Sequence, residues 1–161
     1  MDMIRPISLT DPAAVRELLE VQRAAYRIEA ELIGFDAIPG LRDTEETLGA
    51  CGETFYGRYE SGALAGAISF KTDADVVDIH RLVVHPAWFR KGIGESLLRH
   101  VLAQYAGRVE RFLVATGAAN LPALRLYRKL GFAESRTFEP VPGLRIAELE
   151  RRGGEPGAFA R

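Results

Sequence analysis

The chain has 161 residues, 47% of them hydrophobic and 27% charged, the balance of one soluble globular domain with room for a sizeable core. A formal net charge of −1 gives no electrostatic case for nucleic acid or a membrane surface as a partner, and no apolar run approaches the ~20 residues of a membrane span. The lone cysteine, Cys51, rules out an internal disulfide and reads as structural, and with three scattered histidines it gives no metal-ligand spacing.

The opening stretch, MDMIRPISL, lacks the apolar segment of a signal peptide, so the cytoplasm is the expected compartment. Residues 3 to 9 read as a first strand, with Pro6 arguing for a sheet edge. Asp11-Pro12 starts a helix, a capping side chain followed by proline at the first helical position, and Val15, Leu18, Leu19, Gln22, Ala25, Tyr26 and Ile28 carry it to about residue 30. Residues 31 to 44 have no clean period and contain Gly34, Pro39 and Gly40, which suggests a short or irregular helix and loop, with one more helical turn at 44 to 48. Two strands follow at 53 to 60 and 63 to 71, joined by a hairpin turn at Ser61-Gly62, and a third spans 76 to 85 after a turn at 73 to 75. These three form an antiparallel meander.

Residues 78 to 105 organise the rest. Ile79, Leu82, Val83 and Val84 give a buried strand, which His85-Pro86 ends. Arg90-Lys91-Gly92-Ile93-Gly94 then leads directly into an amphipathic helix that runs to about residue 106 and carries Leu97, Leu98, Val101, Leu102 and Tyr105 on one side. The first turn of a helix offers unpartnered N–H groups and partial positive charge, and two glycines there let a ligand approach the backbone. The physical reading is a phosphate or pyrophosphate site. It is neither a dinucleotide loop, since Leu97 stands where a third glycine is needed, nor a triphosphatase loop, which ends in Gly-Lys-Ser/Thr. Past Gly107, residues 108 to 115 read as a strand parallel to the preceding one, because a helix crosses over between them. Asn120-Leu121-Pro122 starts a further helix with Leu124, Tyr127 and Leu130 inward, and Gly131-Phe132 ends it in a Schellman motif. Strands at 132 to 139 and 144 to 150 flank a turn at 140 to 143. Residues 1 to 150 are one domain, and 151 to 161 read as a loose tail.

Two stretches carry a family resemblance. NLPALRLYRKLGF, from Asn120 to Phe132, resembles the final motif of the GNAT superfamily of acyl-CoA N-acyltransferases, and FRKGIG, between a strand and a helix, resembles its pyrophosphate-binding motif. The resemblance covers nearly the whole chain. It implies an α+β fold of three layers: a mixed, mostly antiparallel sheet of about seven strands, strands four and five parallel and splayed, flanked by about four helices. It also implies transfer of an acetyl group from acetyl-CoA directly to a primary amine, without a covalent acyl-enzyme. The departure is Phe89, where the family favours Gln or Arg. Backbone N–H groups carry most of such binding, and Arg90 and Lys91 keep the local charge positive.

On that resemblance the coenzyme A site comprises the backbone of Leu82, Val83 and Val84, the loop and helix start from Phe89, Arg90, Lys91, Gly92 and Ile93 to Gly94 and Glu95, and Asn120, Ala123 and Tyr127. Asn120 also caps its helix. Tyr127 by its spacing alone is a core aromatic; the motif match makes it the acid that protonates the departing thiolate. Asp78 and His80 are candidate bases. They alternate with Leu82 and Val84 on one strand face, where uncompensated polar groups are costly, though a solvated strand end is the other reading. Arg81 reads as a surface or ion-pairing residue and His85 as a turn residue. The acceptor site falls between Tyr26 and Ala50, with Tyr26 and Phe35 lining a cleft and Glu29, Glu31 and Asp36 available to attract a cation. The expected partner is a small-molecule or peptide amine; a protein amine and a non-catalytic acyl-CoA sensor are the alternatives. A homodimer is compatible with the sequence, and no metal is called for.

Overall fold

The computed structural model describes residues 3–35 and 38–154. In chain order these form β1 (Ile4–Pro6), α1 (Pro12–Ile33), a 3₁₀ turn (Pro39–Arg42), α2 (Glu45–Gly49), β2 (Thr54–Glu60), β3 (Ala63–Asp73) and β4 (Val76–Val84). A 3₁₀ turn (Pro86–Trp88), α3 (Ile93–Tyr105), β5 (Arg111–Gly117), α4 (Leu121–Lys129), β6 (Ala133–Val141) and β7 (Leu144–Arg152) complete them. The strands make one seven-stranded sheet in the order β1-β2-β3-β4-β5-β7-β6. Every neighbouring pair is antiparallel except β4 and β5.

Local chemistry explains most boundaries. Asp11 caps α1 by accepting from the Ala13 N–H, and Pro12 opens the helix. Ser61 and Gly62 both have positive φ, the backbone a tight two-residue hairpin requires. Thr44 and Thr47 cap α2 reciprocally, each hydroxyl accepting from the other's N–H. At the end of α4 the Phe132 N–H reaches the Tyr127 carbonyl and the Gly131 N–H that of Arg128, which is a Schellman motif. Phe132 folds back so that its ring centroid lies 5.7 Å from that of Tyr127.

The sheet is covered on both faces. Ile68, Phe70, Val77 and Ile79 meet α3 and α4 in one core, while Phe55, Leu64, Ala67 and Val83 meet α1 in the other. The seven strands and four α-helices of the described residues match the expected three-layer architecture.

Three expectations need correction. The first strand is shorter than residues 3 to 9: the ladder with β2 runs from Ile4 to Pro6, and past it a single bond, from the Ile7 N–H to the Phe55 carbonyl, still ties the chain to β2. The tail does not begin at Arg151: β7 runs to Arg152, and the Gly153 N–H bonds to the Glu110 carbonyl. Residues 155–161 of that tail lie outside the described residues. The third concerns β4. Ile79 pairs with Phe70 and Arg81 with Ser69, which leaves His80 as an extra, unpaired residue. This β-bulge breaks the alternation. Ile79, Leu82 and Val84 pack toward α3, Val83 packs toward α1, and Asp78 and His80 do not share a face with Leu82 and Val84.

Candidate active site

The bulge coincides with the parting of β4 and β5. The two strands pair only from Val76–Arg111 to Ile79–Val114, although β4 continues to Val84 and β5 to Gly117. Beyond Ile79 the backbone of β4 keeps its β3 partners on one edge and has no strand on the other. Unpaired strand groups need a partner, and an extended amide-bearing ligand supplies one.

A groove of about 600 Å³ follows that free edge. Leu82, Val83 and Val84 form its floor, and Phe89, Arg90 and Trp88 its lip. Gly92, Ile93, Gly94 and Glu95 line it from the start of α3, and Asn120, Ala123 and Tyr127 from α4. Arg90 (φ 63) and Gly92 (φ 74) both stand in the left-handed region, so the loop turns sharply into the helix. No side chain caps α3, and its first intrahelical donor outside the cap is Ser96, which bonds to the Gly92 carbonyl. The N–H groups of Ile93, Gly94 and Glu95 are thus left for a ligand. A Cβ at Gly94 would meet Val84 at 3.6 Å and Leu126 at 3.7 Å, ordinary contacts, so the fold itself does not demand glycine there. Glu95 receives hydrogen bonds from Lys129 at 2.8 Å and Arg99 at 3.0 Å, which hold its carboxyl below the usual range. Of the residues assigned to the cofactor, Lys91 is the exception: it is exposed and does not line the groove, because the left-handed turn at Arg90 and Gly92 leaves it on the outer side of the loop.

A second cavity, of about 210 Å³, opens from the inner end of the groove between the splayed strands. Six residues line both spaces: Tyr26, Glu29, Leu82, Asn120, Ala123 and Tyr127. Tyr127 is only 5% exposed, and burial together with the Glu29 carboxylate pushes its phenol well above the ordinary range, so it keeps its proton at neutral pH. Tyr26 is raised in the same way, chiefly by burial. Its ring lies so close against Gly40 that no Cβ fits there. Burial also raises the Glu29 carboxyl. Phe35 lines neither the groove nor this cavity; it follows Gly34, whose left-handed backbone (φ 68) ends α1, and its N–H returns to the Ala30 carbonyl. Glu31 is exposed, and Asp36 lies outside the described residues.

The cavity continues outward into a third space lined by Asp43, Glu53, His80 and Arg81. Of the two readings of Arg81, the ion-pairing one holds and the surface one does not. Its guanidinium donates to Glu53 at 2.9 Å and 3.2 Å, to Asp43 at 2.6 Å and to Gln22 at 2.8 Å. Gln22 in turn donates to Asp43 and to the Gly40 carbonyl, and Ser69 donates to Glu53. This knot ties α1, the loop at 38–44, the start of β2 and β4 together. Burial opposes the charges of Asp43 and Glu53, but the hydrogen bonds from Arg81, with Gln22 on Asp43 and Ser69 on Glu53, outweigh it and hold both carboxyls below their usual range. His80 stands between two acids, Nδ1 3.6 Å from Glu53 and Nε2 3.4 Å from Asp78. His80 lines the inner cavity; Asp78, with 55% of its side chain exposed, lines neither space. Sequence reading missed Glu53, Asp43 and Gln22 as members of the site. The one signal was Gln22, a polar residue in the inner stripe of α1.

His85 does act as a turn residue, its Nδ1 accepting from the Ala87 N–H. Burial pushes the Cys51 thiol up, as expected of a structural cysteine. Among the described residues no cluster of His, Cys, Asp and Glu could hold a metal ion, and no helix is long and apolar enough to cross a membrane.

Comparison with known proteins identifies the family and agrees with the fold. The model of the "Acetyltransferase (GNAT) family" matches residues 15–132. A Bacillus subtilis protein, "UPF0157 protein YqkA", is 39% identical over 145 residues, but the chain spans only 42% of its length. The "N-alpha-acetyltransferase RimI" of Mycobacterium tuberculosis is 31% identical over 157 residues, covering 91% of this chain and 97% of that one. Among solved structures, the ribosomal-protein-S18-alanine N-acetyltransferase of Escherichia coli superposes with a TM-score of 0.77 at 18% identity, covering 98% of this chain and 97% of the other. PaiA N-acetyltransferase from Thermoplasma acidophilum, solved in complex with coenzyme A, gives 0.67 at 19% identity, covering 94% and 99%. The chain belongs to the Acetyltransferase (GNAT) family.

Proposed function

We propose that the protein is an N-acetyltransferase that moves the acetyl group of acetyl-CoA to a primary amine of a small molecule or peptide. The observation that carries this reading is the meeting of two spaces at Tyr127: a groove ending in free N–H groups at the start of α3, and a separate cavity that holds Glu29 and His80. The groove fits coenzyme A. The N–H groups of Ile93, Gly94 and Glu95, with Arg90 beside them, suit its pyrophosphate, and the unpaired edge of Leu82, Val83 and Val84 suits its amide-bearing arm. Asn120 caps α4 through the Ala123 N–H and donates to Thr116, and it borders the arm. Bound there, acetyl-CoA supplies an acyl group activated as a thioester.

The chain's own residues do the rest. Tyr127 holds a proton at the junction and donates it to the departing sulfur. His80, re-aimed by the bulge into the cavity, accepts the acceptor's proton through water, and Asp78 stands on its solvent side. Buried apolar walls keep bulk water from the thioester. The Escherichia coli enzyme is named for an alanine of ribosomal protein S18 and RimI for N-alpha-acetylation; a peptide amine is accordingly within the proposed acceptor range.

The test is release of free thiol from acetyl-CoA with a panel of amines, in the parent and in Tyr127→Phe. The parent turns over at least one amine. Tyr127→Phe keeps its ring packing and its acetyl-CoA affinity but loses about 10²–10⁴-fold in turnover, the usual worth of a positioned general acid. Turnover within a few-fold of the parent would make Tyr127 a packing residue, and tight cofactor binding with no amine used would favour a sensor.

A further inference from the structure

The charges around the inner cavity are unevenly matched. Three charged or titrating side chains besides the tyrosines line it: Glu29, His80 and Arg81. Arg81, the one permanent cation, has its donors taken by Glu53, Asp43 and Gln22. His80 lies between the acids Glu53 and Asp78. Glu29 has no hydrogen bond or ion pair to any described residue, and it stands where the cavity meets the groove. The two other charged groups lining the groove, Arg90 and Glu95, belong to its far end at the start of α3. The phenols of Tyr26 and Tyr127 face the same junction and stay neutral.

A half-buried carboxylate without a partner is costly, and burial raises its proton affinity. A ligand cation would remove that cost. A ligand carboxylate in the same cavity would meet Glu29 with no free cation to offset it, since Arg81 is already neutralised. We infer that Glu29 seats the acceptor as an ammonium ion and selects against acceptors with a carboxylate beside the amine. The acceptor is thus an alkylamine, or a peptide whose amine is followed by an uncharged amide, and not a free α-amino acid. Ile33, Ile38, Val114 and Ile146 on the other walls suit an apolar stem. The inference rests on the acetyltransferase reading of the same site. It also links acceptor to acid: a cation on Glu29 cancels the charge that helps to hold the Tyr127 proton.

The experiment uses matched probes: alaninamide, leucinamide and phenylalaninamide, each against its free amino acid. In the parent, kcat/KM favours each amide it uses by at least tenfold. Amides are intrinsically less basic, so part of that ratio is their own, and Glu29→Gln divides it out. That substitution is isosteric and removes a charge the fold disfavours. It raises KM for the amides several-fold and brings the amide-to-acid ratio at least threefold closer to one. A merely structural Glu29 leaves the ratio where it was. Calorimetric titration of each pair into the protein, with and without coenzyme A, reads the same preference without turnover. An amide preference that survives Glu29→Gln unchanged, or a parent that binds acid and amide alike, overturns the inference. If no amine is acetylated at all, the acetyltransferase reading falls, and the titrations still decide whether Glu29 selects by charge.

Discussion

The groove and the cavity touch at Tyr127 but are built in different ways. The groove is backbone. Its working parts are a strand edge left unpaired beyond Ile79 and the donors at the first turn of α3, all supplied by one continuous stretch from Leu82 to Glu95. The cavity is side chains. The knot that holds it in shape, Gln22, Asp43, Glu53 and Arg81, comes from four separate segments, joined only when α1 and the loop at 38–44 close over the sheet. Backbone donors at a helix start bind whatever carries phosphate and tolerate sequence change. A side-chain knot fixes one shape and one charge pattern. One half of the site can therefore keep a common cofactor while the other changes its acceptor.

Breaking the knot has the largest expected effect on stability. Arg81→Leu leaves Asp43 and Glu53 facing each other, half-buried, without a cation. Removing one partner of a buried ion pair typically costs about 3–5 kcal/mol. Urea unfolding measures it, and the loss extends to acceptor binding because the loop at 38–44 loses its anchor. A loss below about 1 kcal/mol, the worth of an exposed pair, would mean the knot is solvated and does not hold the cavity.

The groove responds in the opposite sense. Gly94→Ala places its methyl in ordinary contact with Val84 and Leu126, so the fold accepts it. Gly94→Leu extends into the space lined by the free N–H groups. Coenzyme A affinity falls at least tenfold, about 1.4 kcal/mol, while the unfolding midpoint in urea stays within experimental error of the Gly94→Ala protein. Unchanged calorimetric affinity in a folded Gly94→Leu protein would remove the pyrophosphate from this position.

The same contrast decides what could be read in the sequence. The strand, the loop of Arg90 to Gly94 and the helix behind it are local, so periodicity and glycine spacing revealed them. Asn120-Leu121-Pro122 and Gly131-Phe132 bounded α4 just as cleanly, because capping is also local. Residues 31 to 44 stayed vague because tertiary bonds, not propensity, shape them: the Gln22 amide holds the Gly40 carbonyl, and the Tyr26 ring presses on Gly40. The bulge at His80 was invisible for a different reason. It depends on register against β3, and a strand's own sequence carries no record of where its partner slips. Asp78 and His80 were consequently placed on the wrong face. Glu53 could not be recognised as Arg81's partner across the intervening strands.

The smallest effect separates the carboxylates of the knot from the one in the cavity, and its sign is the test. Asp43 and Glu53 have folded values below their ordinary ones of 3.8 and 4.5. Each is easier to ionise in the fold than in the unfolded chain. The stability they add is complete above those ordinary values and is lost as pH falls through the lower, folded ones. Glu29 is the reverse: its folded value lies above the ordinary 4.5. Its cost is absent while it is protonated, appears as pH rises through the ordinary value, and is complete above the raised, folded one. Asp43→Asn therefore loses stability increasingly as pH rises through the carboxylate range. Glu29→Gln gains stability over the same window, and its curve meets that of the parent at acid pH. Urea midpoints for the two variants and the parent, taken across that window, should diverge on opposite sides. If Glu29→Gln instead loses stability as pH rises, Glu29 has a partner in the folded protein, and its carboxylate is not free to receive an ammonium ion.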